Sequence, residues 1–337
     1  MSYIDGVSRI ANQLKVKSGQ VLVTGATGLI GSYLIDTLLY ANAHCDCNFT
    51  IYALSRSLEK IQNRFGKNVI PVVQNIQEPL NLDVDLDFII HAASNADPKT
   101  YAKYPVDTIM TNIEGTKHIL NYCKAHANGK LLYTSTFEVY GKIDNHDVYT
   151  ENDAGVIDFH VLRNGYPESK RCCELLIQSY VKQYGVNAII TRLPSVYGPT
   201  MQKGDSKAHA QFIRNALNHE DIILKSKGEQ RRTYCYVADI VSGMLFLLFN
   251  ETISGEAYNI SNENSIVSIA ELAKTIANMA GTKVVFDLPD ALESAGFSKP
   301  QNSILDNTKL MQLGWKAMYS LEDGLSETMD VLKEQGE

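Results

Sequence analysis

Through the first two hundred residues, apolar positions gather into short β-branched runs that alternate with longer stretches of helical character. The runs at 20–24, 49–54, 69–73, 86–91, 130–135 and 186–193 are each bounded by polar or turn residues and predict strands. Between them, 32–41, 106–125 and 166–184 read as helices. Such alternation argues for a parallel sheet covered on both faces. After residue 192 the spacing changes. Gly198-Pro199 and the polar stretch 202–207 make a loop, and shorter mixed elements follow, with helices expected at 208–218, 237–248, 269–280 and 321–332. The division this suggests is a sheet domain over 1–195, completed by parts of 237–260, and a smaller lobe over 196–337.

Composition narrows the class. Of 337 residues, 45% are hydrophobic and 20% charged, as in an ordinary soluble globular protein. A net charge of -7 argues against a nucleic-acid partner, because phosphate backbones are held mainly by clustered Lys and Arg. The longest apolar stretch, 241–249, is far short of the ~20 residues of a membrane span, and the first residues lack the pattern of a signal peptide. Cys45, Cys47, Cys123, Cys172, Cys173 and Cys235 form no paired C-x-x-C modules. No metal site is therefore expected, and reduced thiols in a cytoplasmic protein are the natural reading.

Chemistry first shows at Val21-Leu-Val-Thr-Gly-Ala-Thr-Gly-Leu-Ile-Gly31. Gly25, Gly28 and Gly31 stand where a strand turns into a helix. There the chain turns tightly, the backbone must approach a pyrophosphate, and helix must pack on strand. The helix N-terminus adds unpaired N–H groups for the phosphates. Gly25, Thr27, Gly28, Leu29, Ile30 and Gly31 are the expected dinucleotide contacts. At the end of the second strand, Ser55 and Arg56 occupy the place where an acidic residue would grip the ribose. An Arg there can face a 2′-phosphate, which tilts the choice between NAD and NADP modestly toward NADP; as a solvated surface charge it would leave that choice open.

Tyr166-Pro-Glu-Ser-Lys170 places a phenol and an ammonium one helical turn apart on one face. A free phenol is a weak base at neutral pH, and a neighbouring ammonium would favour its phenolate. Upstream, Tyr133-Thr-Ser-Thr-Phe-Glu-Val-Tyr-Gly141 ends a strand in consecutive hydroxyl residues, and ligands bind at such strand ends in open α/β sheets. Ser135 or Thr136 can hydrogen-bond a reacting oxygen.

With Thr24-Gly-Ala-Thr-Gly-Leu-Ile-Gly31, His91-Ala-Ala-Ser94, Arg192-Leu-Pro-Ser-Val-Tyr-Gly-Pro199, Arg232-Thr-Tyr-Cys-Tyr-Val-Ala-Asp239 and Leu313-Gly-Trp315, these motifs run in order over nearly the whole chain. The sequence resembles the extended short-chain dehydrogenase/reductase family, in its nucleotide-sugar epimerase, dehydratase and decarboxylase branch. The resemblance implies a Rossmann-type doubly wound parallel α/β sheet with a smaller C-terminal substrate-binding lobe. It also implies a homodimer paired through a four-helix bundle from 106–125 and 166–184. Tyr166 would be the base, Lys170 its activator and a nicotinamide-ribose ligand, and Thr136 the third member of the triad. Asn75, Ile76, Ala92, Ala93, Ser94 and Leu193 would complete the cofactor site. Ser94, Thr136 and Arg232 would meet a nucleotide-diphosphate sugar, Arg232 at its diphosphate.

Glu138 matches a position that serves as a second acid/base in dehydratases and decarboxylases, and it could equally just order the loop. Thr136-Phe137-Glu138 departs from the Thr-Asp-Glu of 4,6-dehydratases and from the Thr-Ser-Glu of glucuronate decarboxylases, and Phe137 cannot donate a proton, which puts a dehydratase in doubt. The family chemistry oxidises the sugar at C4 to a keto intermediate. UDP-glucuronate decarboxylation is the reading the Thr-x-Glu pattern favours, with 4-epimerisation as the alternative. A 4-ketoreductase and a non-catalytic NAD(P)-binding scaffold stand behind these.

Overall fold

Every strand run expected in the first half joins one sheet. The computed structural model describes residues 2–126, 129–288 and 302–335. Its main sheet contains β1 (Ser18–Thr24), β2 (Asn48–Ser55), β3 (Ile70–Val73), β4 (Phe88–His91) and β5 (Lys130–Thr136). After the short β6 (Val148–Tyr149), β7 (Asn187–Leu193) continues it. Four more strands come from the second half: β8 (Ser195–Tyr197), β9 (Ile222–Leu224), β10 (Arg231–Tyr236) and β11 (Ala257–Asn259). Of these, β11 closes the main sheet, whose order is β11-β7-β5-β4-β1-β2-β3 with every pair parallel.

Alternation along each strand divides the interior into two layers. Val21, Val23, Ile90, Leu132 and Ile189 face one core; Leu22, Ile89, Leu131, Tyr133 and Ile190 face the other. Helices α1 (Tyr3–Ala11) and α2 (Leu29–His44) cover the first face. The chain then adds α3 (Leu58–Phe65), α4 (Pro98–Lys103), α5 (Pro105–Ala125) and α6 (Gly165–Tyr184). Of these, α5 and α6 pack on the second core through residues such as Ile119, Leu120, Cys173 and Ile177. Cys172, the next residue to Cys173 on α6, is exposed, and all six cysteines are free thiols.

Among the described residues five further helices follow: α7 (Ala208–Leu217), α8 (Val237–Leu248), α9 (Ile269–Ala280), α10 (Thr308–Gln312) and α11 (Leu321–Glu334). Helix α8 is apolar on nearly every side and lies in the first core, where its run 241–249 is satisfied by burial. Among the described residues no helix is long and apolar enough to cross a membrane. A three-stranded sheet of β8, β10 and β12 (Ile266–Ser268) carries the C-terminal substructure. The pairs β9 with β13 (Val284–Phe286) and β6 with β14 (Ile304–Leu305) flank it. Two sequence motifs are absorbed as structure here. Trp315 donates its ring N–H to Ser242 at 2.9 Å, and Asp239 accepts from the Met318 N–H at 2.6 Å and from Asn262 at 3.2 Å.

Candidate active site

Strand order reverses at β1, whose neighbours are β2 on one side and β4 on the other. Outside the carboxyl ends of the strands at such a switch point an open α/β sheet leaves a crevice. A cavity of about 740 Å³ opens there.

Its floor is the glycine loop. Gly25 follows β1 at φ +67°, and a Cβ on it would lie 2.9 Å from the Ala92 carbonyl oxygen. A Cβ on Gly31 would lie 2.4 Å from the Gly25 carbonyl oxygen, so here helix α2 meets the loop with no room for a side chain. Gly28 differs: its backbone is ordinary (φ −86°, ψ 174°), a Cβ would touch just the Gly25 oxygen at 3.3 Å, and it caps the α2 N-terminus without a side chain. Helix α2 therefore begins at Leu29, three residues before the apolar pattern alone placed it. A bare backbone cradle at a helix N-terminus, opening into a cavity, fits the pyrophosphate of a dinucleotide.

Around this floor the cavity gathers every expected cofactor residue: Gly25, Thr27, Gly28, Leu29, Ile30 and Gly31, then Ser55, Arg56, Asn75, Ile76, Ala92, Ala93, Ser94 and Leu193. At the β2 edge the lining residues are Ser55, Arg56, Lys60, Gln74, Asn75 and Ile76, with no carboxylate among them. The β4 end is braced from below. Thr24 Oγ1 accepts from the Ala92 and Ala93 N–H groups, both at 3.1 Å, and pairs with His91 Nδ1 at 2.8 Å. Burial, and then the Lys170 charge, push His91 down to about 3, so it stays neutral. Ser94 donates to Asn112 at 2.7 Å, and Asn112 in turn to Ser169 on α6 at 2.9 Å, which ties this end to the helix carrying Tyr166.

At the end of β5 the expected constellation meets the same cavity: Thr136, Glu138, Tyr166, Lys170 and Arg232 all line it. Ser135 does not compete with Thr136, because its hydroxyl donates to buried Glu174, itself paired with Arg192 at 2.7 Å. Thr136 lines the same cavity as Tyr166 and acts to lower the pKa of its phenol. Extended geometry stops at Thr136. Residues Phe137–Tyr140 form a 3-10 turn, and the Glu138 N–H folds back onto Thr136 Oγ1 at 3.3 Å. The turn nonetheless leaves Glu138 on the cavity wall, while Phe137 packs against the Tyr140 and Tyr149 cluster.

The electrostatics also differ from the sequence expectation. Burial, and next the Glu138 carboxylate, push the Tyr166 phenol well above its ordinary range, with Thr136 opposing. Lys170 does not offset this. Its ammonium donates to the Thr134 carbonyl at 2.8 Å and lies 4.6 Å from the Tyr133 ring centre, and burial pushes it down to about 8. Burial likewise raises the Glu138 carboxyl, with Arg163, Arg232 and Lys207 opposing.

Several lining residues carry no signal in the sequence. Tyr101 stacks on Tyr166 with ring centres 5.0 Å apart and planes 11° from parallel. Arg163 donates from Nη2 to Tyr101 Oη at 2.8 Å and to Glu138 Oε2 at 3.2 Å. Lys207 and buried His209 come from the loop and helix after β8. Arg232 Nε is buried and, among the described residues, without a hydrogen-bond partner, as a group awaiting an anionic ligand would be. Among the described residues no three His, Cys, Asp or Glu side chains gather into a metal site.

Known proteins place this architecture. The sequence model described as the NAD dependent epimerase/dehydratase family matches residues 21–261. UDP-glucuronic acid decarboxylase 1 of Xenopus tropicalis is 32% identical over 319 residues, 94% of this chain and 72% of that protein. UDP-glucuronic acid decarboxylase 5 of Arabidopsis thaliana is 32% identical over 311 residues, 91% of this chain and 87% of that one. Among solved structures, the UDP-glucuronic acid 4-epimerase of Bacillus cereus superposes with a TM-score of 0.79 at 24% identity, covering 94% of this chain and 99% of that chain, a likeness of fold. The chain belongs to the NAD-dependent epimerase/dehydratase family.

Proposed function

We propose that the protein oxidises a nucleotide-diphosphate sugar at C4 and, with UDP-glucuronate, releases the C6 carboxylate as CO2. The observation that carries this reading is the convergence of Thr136, Glu138, Tyr166 and Lys170 on the cavity that also contains the glycine cradle. The curated relatives support the choice of substrate by their names. A bound nicotinamide dinucleotide supplies the hydride acceptor and, later, the donor.

Tyr166 takes the proton of the C4 hydroxyl, and Thr136 holds the same oxygen. Lys170 binds the cofactor ribose and, turning from the Thr134 carbonyl, brings positive charge to a phenol that burial and the Glu138 carboxylate keep protonated. With C4 a ketone, the C5–C6 bond breaks, its electron pair passes to the C4 oxygen as an enolate, and C6 leaves as CO2. Glu138, whose carboxyl burial keeps raised, then returns a proton to C5, directly or through one water. Phe137 offers no acid, so this burden falls on Glu138. Arg232 faces the diphosphate.

For the cofactor, Arg56 with Lys60 and the lack of a carboxylate at the β2 edge support NADP over NAD. Pairing of two copies through α5 and α6 belongs to the same proposal; Leu175 on α6 is 67% exposed and would be covered by it.

The test supplies UDP-glucuronate, and separately UDP-glucose and UDP-galactose, to wild type and to Glu138→Gln. CO2 and UDP-xylose from wild type, lost in the variant, support decarboxylation. Interconversion of the neutral sugars, untouched by the substitution, makes the protein a 4-epimerase with Glu138 ordering its loop. Tyr166→Phe should lower turnover ~10²–10⁴-fold in either case.

A further inference from the structure

The cavity holds more positive charge than a diphosphate and a cofactor use. Arg56 and Lys60 stand at the β2 edge. Lys170 is bound to the Thr134 carbonyl, and Lys207 is paired with Asp205 at 3.0 Å. Arg232, with its orphaned Nε, is assigned to the diphosphate. Arg163 is left over, and its place is beside the reacting end of the sugar. It bonds to Glu138, and through Tyr101 it lies one stacked ring away from Tyr166.

Three features of Arg163 suit it to read an anion. It sits on the 3-10 turn Leu162–Asn164, immediately before α6, so its backbone is fixed relative to Tyr166 on the same helix. Both of its hydrogen bonds run through Nη2, leaving Nε and Nη1 as donors. Its guanidinium lies over the Tyr101 ring at 5.4 Å, which orients the plane, and the side chain is half exposed to the cavity. A planar fork with free donors is the geometry that carboxylates accept in bidentate fashion.

We propose that Arg163 is the specificity residue that recognises a carboxylate on the substrate's sugar, selecting a hexuronate over a neutral hexose. The proposal rests on the nucleotide-sugar reading above and adds a residue to it. In the protein without substrate, Glu138 occupies Arg163 in the manner of that carboxylate; a bound hexuronate shares or takes over the guanidinium.

Calorimetric binding of UDP-glucuronate, UDP-glucose and UDP alone to wild type, Arg163→Gln and Arg163→Lys tests it, with the dinucleotide affinity of each variant as the check on the cavity. Arg163→Gln should weaken UDP-glucuronate about 10- to 100-fold, the worth of a charge-assisted pair. UDP-glucose, UDP and the dinucleotide should change less than about 3-fold. Arg163→Lys keeps the charge without the fork and should fall between. If wild type releases CO2 from UDP-glucuronate while Arg163→Gln weakens acid and neutral sugar alike, or neither, the specificity role is wrong and the reaction stands. If wild type neither prefers UDP-glucuronate nor releases CO2, the decarboxylase reading fails and the specificity role falls with it.

Discussion

Gly28 and Gly31 lie three residues apart in the same loop, yet the structure gives them opposite tasks, and alanine at each separates these. At Gly31 the added methyl would sit 2.4 Å from the Gly25 oxygen and 3.0 Å from the Ala26 Cα, and these backbone atoms have no rotamer by which to retreat. Loop and helix must shift, at the ~1–3 kcal/mol typical of overpacking. At Gly28 the dihedrals suit any residue and the nearest atom, the Gly25 oxygen, is 3.3 Å away, so alanine asks for a shift of a few tenths of an ångström, against which stands about 0.4–1 kcal/mol from a stiffer unfolded chain. Its methyl instead enters the space over which a pyrophosphate lies. Denaturant unfolding without ligand should therefore show Gly31→Ala destabilised and Gly28→Ala near wild type. Calorimetry should show Gly28→Ala binding NAD and NADP about 10–100-fold more weakly, the same steric energy expressed as affinity. Wild-type affinity in Gly28→Ala would refute the placement of the phosphates, and wild-type stability in Gly31→Ala would refute the closeness of the helix–loop contact.

Three further expectations follow from the geometry. Arg56→Ala should weaken NADP more than NAD in direct binding; equal losses would remove Arg56 from the 2′-phosphate. Glu174→Ala leaves the Arg192 charge buried without its partner and should cost ~3–5 kcal/mol in urea unfolding, whereas a loss below about 1 kcal/mol would make the pair dispensable. Burial alone would raise Asp97, but bonds from Ser206 and Thr100 outweigh it and hold the carboxyl at about 2. Its contribution is thus complete above its ordinary value near 3.8 and lost as pH falls through about 2. The stability gap between wild type and Asp97→Ala should narrow on acidification, and a widening gap would contradict this sign.

The sheet was legible because its central strands are buried on both faces, so β-branched residues run together where a half-exposed strand would alternate. Strands of three residues, such as β8, β11 and β12, are too short for any period to show. Helix α1 escaped notice since it buries little beyond Val7, Ile10 and Ala11 and carries Gly6 in its middle. That glycine is required because a Cβ would strike the Tyr33 and Tyr319 hydroxyls at 2.5 Å. In the site, the glycines were readable because their constraint is local. Arg163 and Tyr101 were not: each reaches the cavity through the tertiary path of a short turn or helix, and in the sequence either resembles a surface residue. The partner of Lys170 in this structure was not readable for a related reason. Helical spacing fixes which face a side chain leaves from, while its final partner, here the Thr134 carbonyl, is set by a strand 36 residues away.

The position of β11 bears on how the chain can be made. Residues 257–259 complete a sheet whose other strands are all laid down by residue 193, and the bonds on either side of them join them to β7: the Ile190 N–H donates to the Glu256 carbonyl and the Ile260 N–H to the Arg192 carbonyl. During synthesis, β7 with its Ala188-Ile189-Ile190 core therefore waits as an open edge while some sixty residues emerge. An unpaired, apolar edge is a template for another chain. A product truncated before 257 would keep the whole glycine cradle and Tyr166, yet present that edge permanently, so the catalytic residues and the solubility of the fold are secured by opposite halves of the chain.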